Sequence, residues 1–354
     1  MSLEDYGWDQ FFSASFDAQK NPDHIPGRVT FANRGIYVVR TGQHELQARM
    51  AGKLRQAAAT GDATVPVVGD WIAGKGTGDG SMIIQTVLGR KSLLSRKDPG
   101  RPTTEQAVAA NLDTVFLVMG LDANFNLRRM ERLLAMTYES GASPVILLNK
   151  TDVAGDLVEQ ALEVESIAPG VPVFNVSART GHGLEELSSF LRRRGHTIAF
   201  VGSSGVGKST LINRLFQGEV MRTQAVRETD GRGRHTTSHR ELFKHPEGAL
   251  LIDNPGLREI QLWCSEEAVS DAFSEIASLS AHCRFRDCTH TSEPACAVKE
   301  AAENGTLAPD RLESYRKLSR ELRYLELKQD EGAQRAQKQR WRAIHKAMRQ
   351  NPKS

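Results

Sequence analysis

The sequence predicts a multidomain chain with three architectures. An N-terminal all-β barrel of the OB type comes first, then a central α/β domain with a mainly parallel sheet, then a C-terminal α-helical domain built round a metal-binding loop. Three observations predict this. Between about 27 and 100, short β-rich runs are separated by Gly, Asn and Asp clusters, the pattern of a small barrel. From about 111, apolar strands alternate with helical stretches, which marks βαβ units. After about 265 the strands stop, and Cys and His gather in one short loop.

Residues 1–26 lack periodicity and contain Asn21-Pro22 and Ile25-Pro26, so they are expected to form a flexible N-terminal arm. The barrel is assigned to 27–102, from the β-rich runs GRVTFANRGIYVVRT, HELQARMAGKL, VPVVGDWIAGKG and SMIIQTVLGRKSLLSR. About 75 residues suit a five-stranded OB fold, with a two-sheet sandwich as the alternative. In the domain assigned to 103–265, LDTVFLVMGL, SPVILLNK, VPVFNVSA, HTIAFVGSS and ALLIDNPG read as strands. LRRMERLLAMTYESG, LVEQALEVESIA, GLEELSSFLRRR and STLINRLFQ read as helices between them. In 266–354, SEEAVSDAFSEIASLSAH reads as helical, and a long polar helix is expected from about 308 to 349.

Composition narrows the class. The chain is 354 residues, 39% hydrophobic and 25% charged, which excludes collagen-like and wholly disordered chains. No run approaches the roughly 20 apolar residues of a membrane helix, so no membrane partner is expected. The acidic, aromatic N-terminus lacks the basic region of a signal peptide. Four cysteines are too few for a disulfide framework, and a cytoplasmic location is expected.

Residues 202–209 read Gly-Ser-Ser-Gly-Val-Gly-Lys-Ser, the G-x-x-x-x-G-K-[ST] phosphate loop. The strand IAFVG precedes it and the helix STLINRL follows. In this setting backbone N–H groups of Gly202, Ser203, Ser204, Gly205, Val206 and Gly207 curl round phosphates, helped by the helix N-terminus at Ser209 and Thr210. Lys208 would reach the β- and γ-phosphates, and the Ser209 hydroxyl would ligate Mg²⁺.

The base is read elsewhere. Asn149-Lys150-Thr151-Asp152 closes the strand PVILL. A carboxylate at Asp152 can accept from N1–H and the N2 amine of guanine, whereas adenine offers no such donor pair. Asn149 would orient the loop, and the Lys150 stem can stack on the base. A backbone N–H of Ser177-Ala178, after the next strand, could donate to guanine O6. Asp253-Asn254-Pro255-Gly256 ends a further strand. Asp253 would hold Mg²⁺ through water, and the Gly256 N–H would sense the γ-phosphate. Thr236 or Thr237 could place a hydroxyl on Mg²⁺.

In common small GTPases the phosphate loop comes first. Here the base-reading motifs at 149 and 177 precede the loop at 202, the threonines at 236 and the acid at 253. Circular permutation keeps the sheet and moves the termini. After Gly256, where many GTPases carry a water-orienting Gln, stands Leu257. An apolar side chain cannot polarise water, and His235 is the candidate to replace it.

The loop Cys283-x₄-Cys288-x-His290-x₅-Cys296 supplies three thiolates and an imidazole, a closed structural zinc set. His282 is the other imidazole within reach, and Cys264 stands apart.

A barrel, the order NKTD, SA, GSSGVGKST, HTT, DNPG, and this Cys/His loop together resemble the RsgA (YjeQ) family over about 27–350. These are circularly permuted GTPases acting in late maturation of the bacterial small ribosomal subunit. The resemblance selects His290 over His282 as zinc ligand and also points to His235. It implies GTP/GDP and Mg²⁺ in the central domain and one structural Zn²⁺. It implies the small ribosomal subunit and its rRNA as partners, with assembly factors released on switching. Hydrolysis is expected to be slow without the ribosomal partner, and the chain to be a monomer. A purely binding role, with hydrolysis incidental, is the second reading. A metabolic kinase is the third, and it would not need NKTD.

Charge agrees when read locally. The net charge is +3, yet residues 311–354 hold 13 Lys/Arg against 5 Asp/Glu, leaving 33 against 38 in the other 310 residues. A basic C-terminal segment on a mildly acidic body suits a polyanion. Arg222, Arg227, Arg232, Arg234 and Arg240 make the loop before the DNPG strand basic too. The barrel adds Arg28, Arg34, Arg40, Arg49, Lys53 and Arg55 as candidate RNA contacts.

Overall fold

The computed structural model describes residues 2–42, 44–98, 101–216, 240–253 and 265–325, with the side chains of 97, 98, 101–104 and 253 outside that description. The chain divides into two compact units, Met1–Arg96 with Ala107–Gln261, and Lys97–Gln106 with Leu262–Ser354.

In the first unit the N-terminal segment is folded, contrary to the expected loose arm. A 3₁₀ turn, Glu4–Tyr6, precedes α1, Gln10–Asp17. Asp9 caps α1 by accepting from the Phe11 and Phe12 amides, which satisfies donors that a helix start leaves open. Tyr6 and Phe12 are buried. The Trp8 and Phe12 rings lie 4.7 and 5.7 Å from that of Trp71. This aromatic cluster orders the segment, and Trp71 lies 59 or more residues from Trp8 and Phe12 in sequence.

The barrel strands are β1 (Ile25–Asn33), β2 (Ile36–Arg40), β3 (Glu45–Met50), β4 (Trp71–Gly76) and β5 (Ser81–Val87). They run in the order β1-β2-β3-β5-β4, and β4 pairs back with β1. Only β3 and β5 are parallel. This is the closed five-stranded OB topology the sequence predicts, filled by Val29, Tyr37, Val39, Ile72, Met82 and Ile84. Helix α2, Gly52–Thr60, follows β3 and buries Leu54 against the barrel core. The β-rich run HELQARMAGKL of the sequence thus ends in the first turn of this helix. A second, two-stranded sheet pairs β6 (Leu93–Asp98) with β7 (Arg101–Ala110).

The α/β part contains β8 (Thr114–Gly120), α3 (Leu127–Ser140), β9 (Ser143–Asn149), α4 (Leu157–Ile167), β10 (Val173–Val176), α5 (Ser188–Leu191), β11 (Thr197–Val201), α6 (Lys208–Leu215), β12 (Arg240–Lys244) and β13 (Leu250–Asp253). Strands β10, β9, β8, β11 and β13 are parallel neighbours in that order. Strand β8 is buried throughout, as a sheet covered on both faces requires. Its neighbours β9 and β11 lead the chain in opposite directions. Their carboxyl ends therefore open a crevice at the topological switch point, where ligands of such sheets bind.

The barrel and the α/β sheet are continuous. One edge of β1 pairs with β4 at Ile25–Arg28, then with β12 at Phe31↔Glu241 and Ala32↔Arg240. Arg28 lies beneath this junction, 1% exposed. Its guanidinium donates to the carbonyls of Tyr6, Gly69 (3.2 Å) and Asn111 (3.1 Å) and to Thr197 Oγ1 (2.9 Å). Burial pushes its pKa down to about 10, against the pull of Asp113 and Asp70, so it stays charged at neutral pH. Arg28 is therefore an internal tie and not a groove contact for RNA. Gly69 fits the same junction because its φ is +91° and an added Cβ would meet the Ala110 carbonyl oxygen at 2.0 Å.

In the second unit, α7 (Glu266–Ala272) and α8 (Ser274–Ser280) replace the single helix expected there. The break is at Phe273, which leaves helical geometry at φ −126° and is fully buried. The Arg311 guanidinium lies 4.0 Å over the Phe273 ring and bonds Glu275 Oε1 at 2.6 Å and the Ala272 carbonyl at 2.7 Å. Helix α9, Ala297–Glu303, follows the Cys/His loop. A further helix covers 309–325, the described part of the long helix expected from about 308 to 349. Among the described residues no helix is long and apolar enough to cross a membrane.

Candidate functional site

The phosphate loop leaves β11 at Val201 and enters α6 at Lys208. Gly207 holds φ +93°, and an added Cβ would lie 2.4 Å from Asn149 Nδ2. Only glycine meets both conditions. Val206 is buried, Ser204, Gly205 and Thr210 are exposed, and Ser209 is half-buried in the first turn of α6. Lys208 Nζ donates to the carbonyls of Gly202 (2.8 Å) and Ser203 (2.6 Å). Its ammonium therefore lies against the loop, where it and the helix N-terminus can serve an anion.

The base-reading motifs converge on the same loop through Asn149, which is 1% exposed. Its Nδ2 donates to the Val206 carbonyl at 2.8 Å, and its Oδ1 accepts from the Ala178 amide at 2.9 Å. One side chain thus fastens its own loop to two others, 57 and 29 residues away in sequence. Of the two backbone N–H groups of Ser177-Ala178 expected to offer a donor to guanine O6, that of Ala178 is engaged by Asn149 and that of Ser177 by the His182 carbonyl at 3.0 Å in this arrangement. Asp152 accepts from Ser177 Oγ at 2.6 Å and lies 3.5 Å from Arg179 Nη1. The Ser177 bond leads in holding its pKa below the usual carboxylate range, against partial burial. Asp152 is therefore an anionic acceptor at neutral pH. Thr151 opens the 3₁₀ turn Thr151–Val153. Lys150 sits just before it in the left-handed region, φ +71°.

Two residues at this site escaped the sequence reading. Asp122, just past β8, accepts from Lys150 Nζ at 2.6 Å. Arg129, in the first turn of α3, donates to Ser203 Oγ at 3.0 Å. Asp122 begins the Asp-Ala-Asn turn after a wholly apolar strand, a signal that could have marked it. Arg129 carries none. Asp253 ends β13 in register with Glu241, at the carboxyl edge of the sheet. Its side chain lies outside the described residues, as do His235, Thr236, Thr237, Gly256, Leu257 and Cys264.

In the second unit the ligand atoms of Cys283, Cys288, His290 and Cys296 all lie within 4.8 Å of one another. Cys283 Sγ is 3.8 Å from Cys296 Sγ. His290 Nδ1 is 3.6 Å from Cys283 Sγ and 3.4 Å from Cys296 Sγ. A tetrahedral zinc, with Zn–S near 2.3 Å and Zn–N near 2.0–2.1 Å, puts sulfurs about 3.8 Å apart and sulfur and nitrogen about 3.5 Å apart. The donor set fits that ion. Nε2 of His290 is 3.1 Å from Ser280 Oγ, a partner that would leave Nδ1 facing the metal. His282 instead places its Nδ1 3.1 Å from the Ser278 carbonyl and is not in the set. Glu293 closes the loop by accepting from the amides of Thr289 (2.9 Å), Thr291 (2.8 Å) and Ser292 (3.0 Å).

The RsgA GTPase family model matches residues 87–263. A small ribosomal subunit biogenesis GTPase RsgA of Opitutus terrae is 43% identical, covering 99% of this chain and 97% of that protein. One of Methanosarcina acetivorans is 42% identical over 96% and 90%. The crystal structure of YjeQ from Thermotoga maritima matches with a TM-score of 0.64 and 29% identity, covering 84% of this chain and 98% of that one. A solved structure described as YloQ, a circularly permuted GTPase, shares the fold with a TM-score of 0.60. By these matches over nearly its whole length, the chain belongs to the RsgA family of circularly permuted GTPases.

Proposed function

We propose that this chain binds GTP in the crevice at the ends of β8, β9 and β11, hydrolyses it on the small ribosomal subunit, and acts there in late maturation as a GTP/GDP switch. The observation that carries the reading is the Asn149 tie. It brings the base-reading loops of residues 149–152 and 177–178 onto the phosphate loop in the permuted order. Asp152, kept anionic by Ser177, would accept from guanine N1–H and N2–H. Amides of residues 202–210 and the Lys208 ammonium would hold the phosphates. Ser209, Asp253 and Thr236 or Thr237 would hold Mg²⁺, which supplies charge neutralisation between the β- and γ-phosphates. The Gly256 N–H would sense the γ-phosphate. His235 would orient and polarise the attacking water, since Leu257 cannot.

Binding to rRNA is supported by the basic segment 311–354 and the arginines of 222–240. Release of assembly factors on hydrolysis, a monomeric state and a cytoplasmic location complete the proposal. The name shared by the two relatives, small ribosomal subunit biogenesis GTPase, supports the partner.

Single-turnover hydrolysis with and without small subunits tests it. The expected result is slow basal turnover and a stimulation of roughly 10²-fold or more, the scale of a positioned general base. His235→Ala should lose the stimulation while retaining GTP affinity. Equal rates with and without subunits would favour the reading in which hydrolysis is incidental.

A further inference from the structure

We infer that Asp122 is a positioning residue for guanine recognition: it holds the Lys150 ammonium so that the lysine stem forms a fixed wall for the base. The inference rests on the nucleotide assignment above and deepens it. A lysine side chain loses rotamer entropy when fixed, so a stem meant for stacking gains from being fixed before the base arrives. Here the fixing group is on the page. Asp122 Oδ2 accepts from Lys150 Nζ at 2.6 Å. Asp122 is itself anchored, because its Oδ1 accepts from the Asn124 amide and the Asn124 Nδ2, both at 3.0 Å. The Leu121 amide donates to the Asn149 carbonyl at 2.9 Å, pinning the end of β8 to the residue before Lys150. Lys150 starts from a left-handed backbone, φ +71°, which a non-glycine residue adopts only when its surroundings enforce it.

An isolated surface ion pair would contribute little. This pair is only 27% and 29% exposed, lies in the switch-point crevice, and has one partner locked from behind. Its value is orientation, so its loss should appear in nucleotide affinity and not in folding.

The test measures GDP and GTP dissociation constants for the wild type, Asp122→Ala, Lys150→Met and the double variant, with thermal melting of each nucleotide-free protein. Asp122→Ala is expected to weaken GDP and GTP alike, by about five- to tenfold, because the base is common to both. In the Lys150→Met background the same change should add less than twofold, since Asp122 acts through Lys150. Melting should shift little. Asp122→Asn keeps the side-chain volume and should reproduce the loss in part, even if the alanine variant folds poorly. Affinities within twofold of wild type would overturn the inference, and so would an equal loss in both backgrounds. A wild-type chain that binds neither nucleotide would overturn the nucleotide assignment and this inference with it.

Discussion

Withdrawal of zinc by a strong chelator is expected to melt the helices of the C-terminal unit, with Cys283→Ser acting in the same direction. The donor atoms of Cys283, Cys288, His290 and Cys296 are gathered within 4.8 Å. Without a cation that convergence has little to sustain it. Structural zinc contributes an apparent 10–16 kcal/mol at neutral pH, which matches or exceeds the whole stability of a typical domain, about 5–15 kcal/mol. Three of its helices, α7, α8 and α9, are seven residues each, below the length at which a helix persists alone. Buried Phe273, Ile276, Val298 and Leu312 then lose their frame. The measurement is metal content with far-ultraviolet circular dichroism before and after chelation. One zinc per chain and loss of helical signal are expected. No candidate nucleotide-site residue lies in this unit, so GDP binding should survive. A chain with no stoichiometric metal and an unchanged spectrum would contradict the assignment.

The second large effect is at Arg28. Arg28→Met keeps most of the stem volume and removes the guanidinium. Four acceptors, the Tyr6, Gly69 and Asn111 carbonyls and Thr197 Oγ1, then lose a donor in an interior site, and of these the Gly69 carbonyl still accepts from Asn111 Nδ2 at 3.0 Å. Each unsatisfied buried group costs about 1–3 kcal/mol. Relaxation of the N-terminal segment would let the Tyr6 carbonyl reach water, so we expect a total of about 3–5 kcal/mol. For a unit of this size that corresponds to a fall in Tm of roughly 6–10 °C. Arg28→Lys should recover only part, because one ammonium cannot span four acceptors. A variant melting within 2 °C of wild type would mean that Arg28 does not tie the junction.

Most of the candidate nucleotide site is legible in the sequence because its signals are local. The phosphate loop, NKTD and the Cys/His loop each fit within fourteen residues, and the apolar runs flanking the first two declare strands. What was not legible depends on partners far along the chain. Arg28 reads as one more barrel cation until residues 6, 69, 111 and 197 are brought round it. The N-terminal segment reads as an arm because its aromatic residues have no periodic pattern, and they find Trp71 only in the fold. The start of α2 was hidden by Gly52 and a preceding strand. The breadth of the base-reading contacts was also understated. The backbone N–H groups of Ser177-Ala178 read as donors to the ligand, whereas the protein already uses the Ala178 amide to hold Asn149, and Asp122 sits behind Lys150.

As a GTP/GDP switch, the protein is expected to stay on the small ribosomal subunit in one nucleotide state and to leave it in the other. Co-sedimentation of the full chain with small subunits tests it directly, with a non-hydrolysable GTP analogue in one arm and GDP in the other. Stoichiometric retention with the analogue and at least tenfold weaker retention with GDP are expected, a coupling of about 1.4 kcal/mol or more. Equal retention in both arms would contradict it.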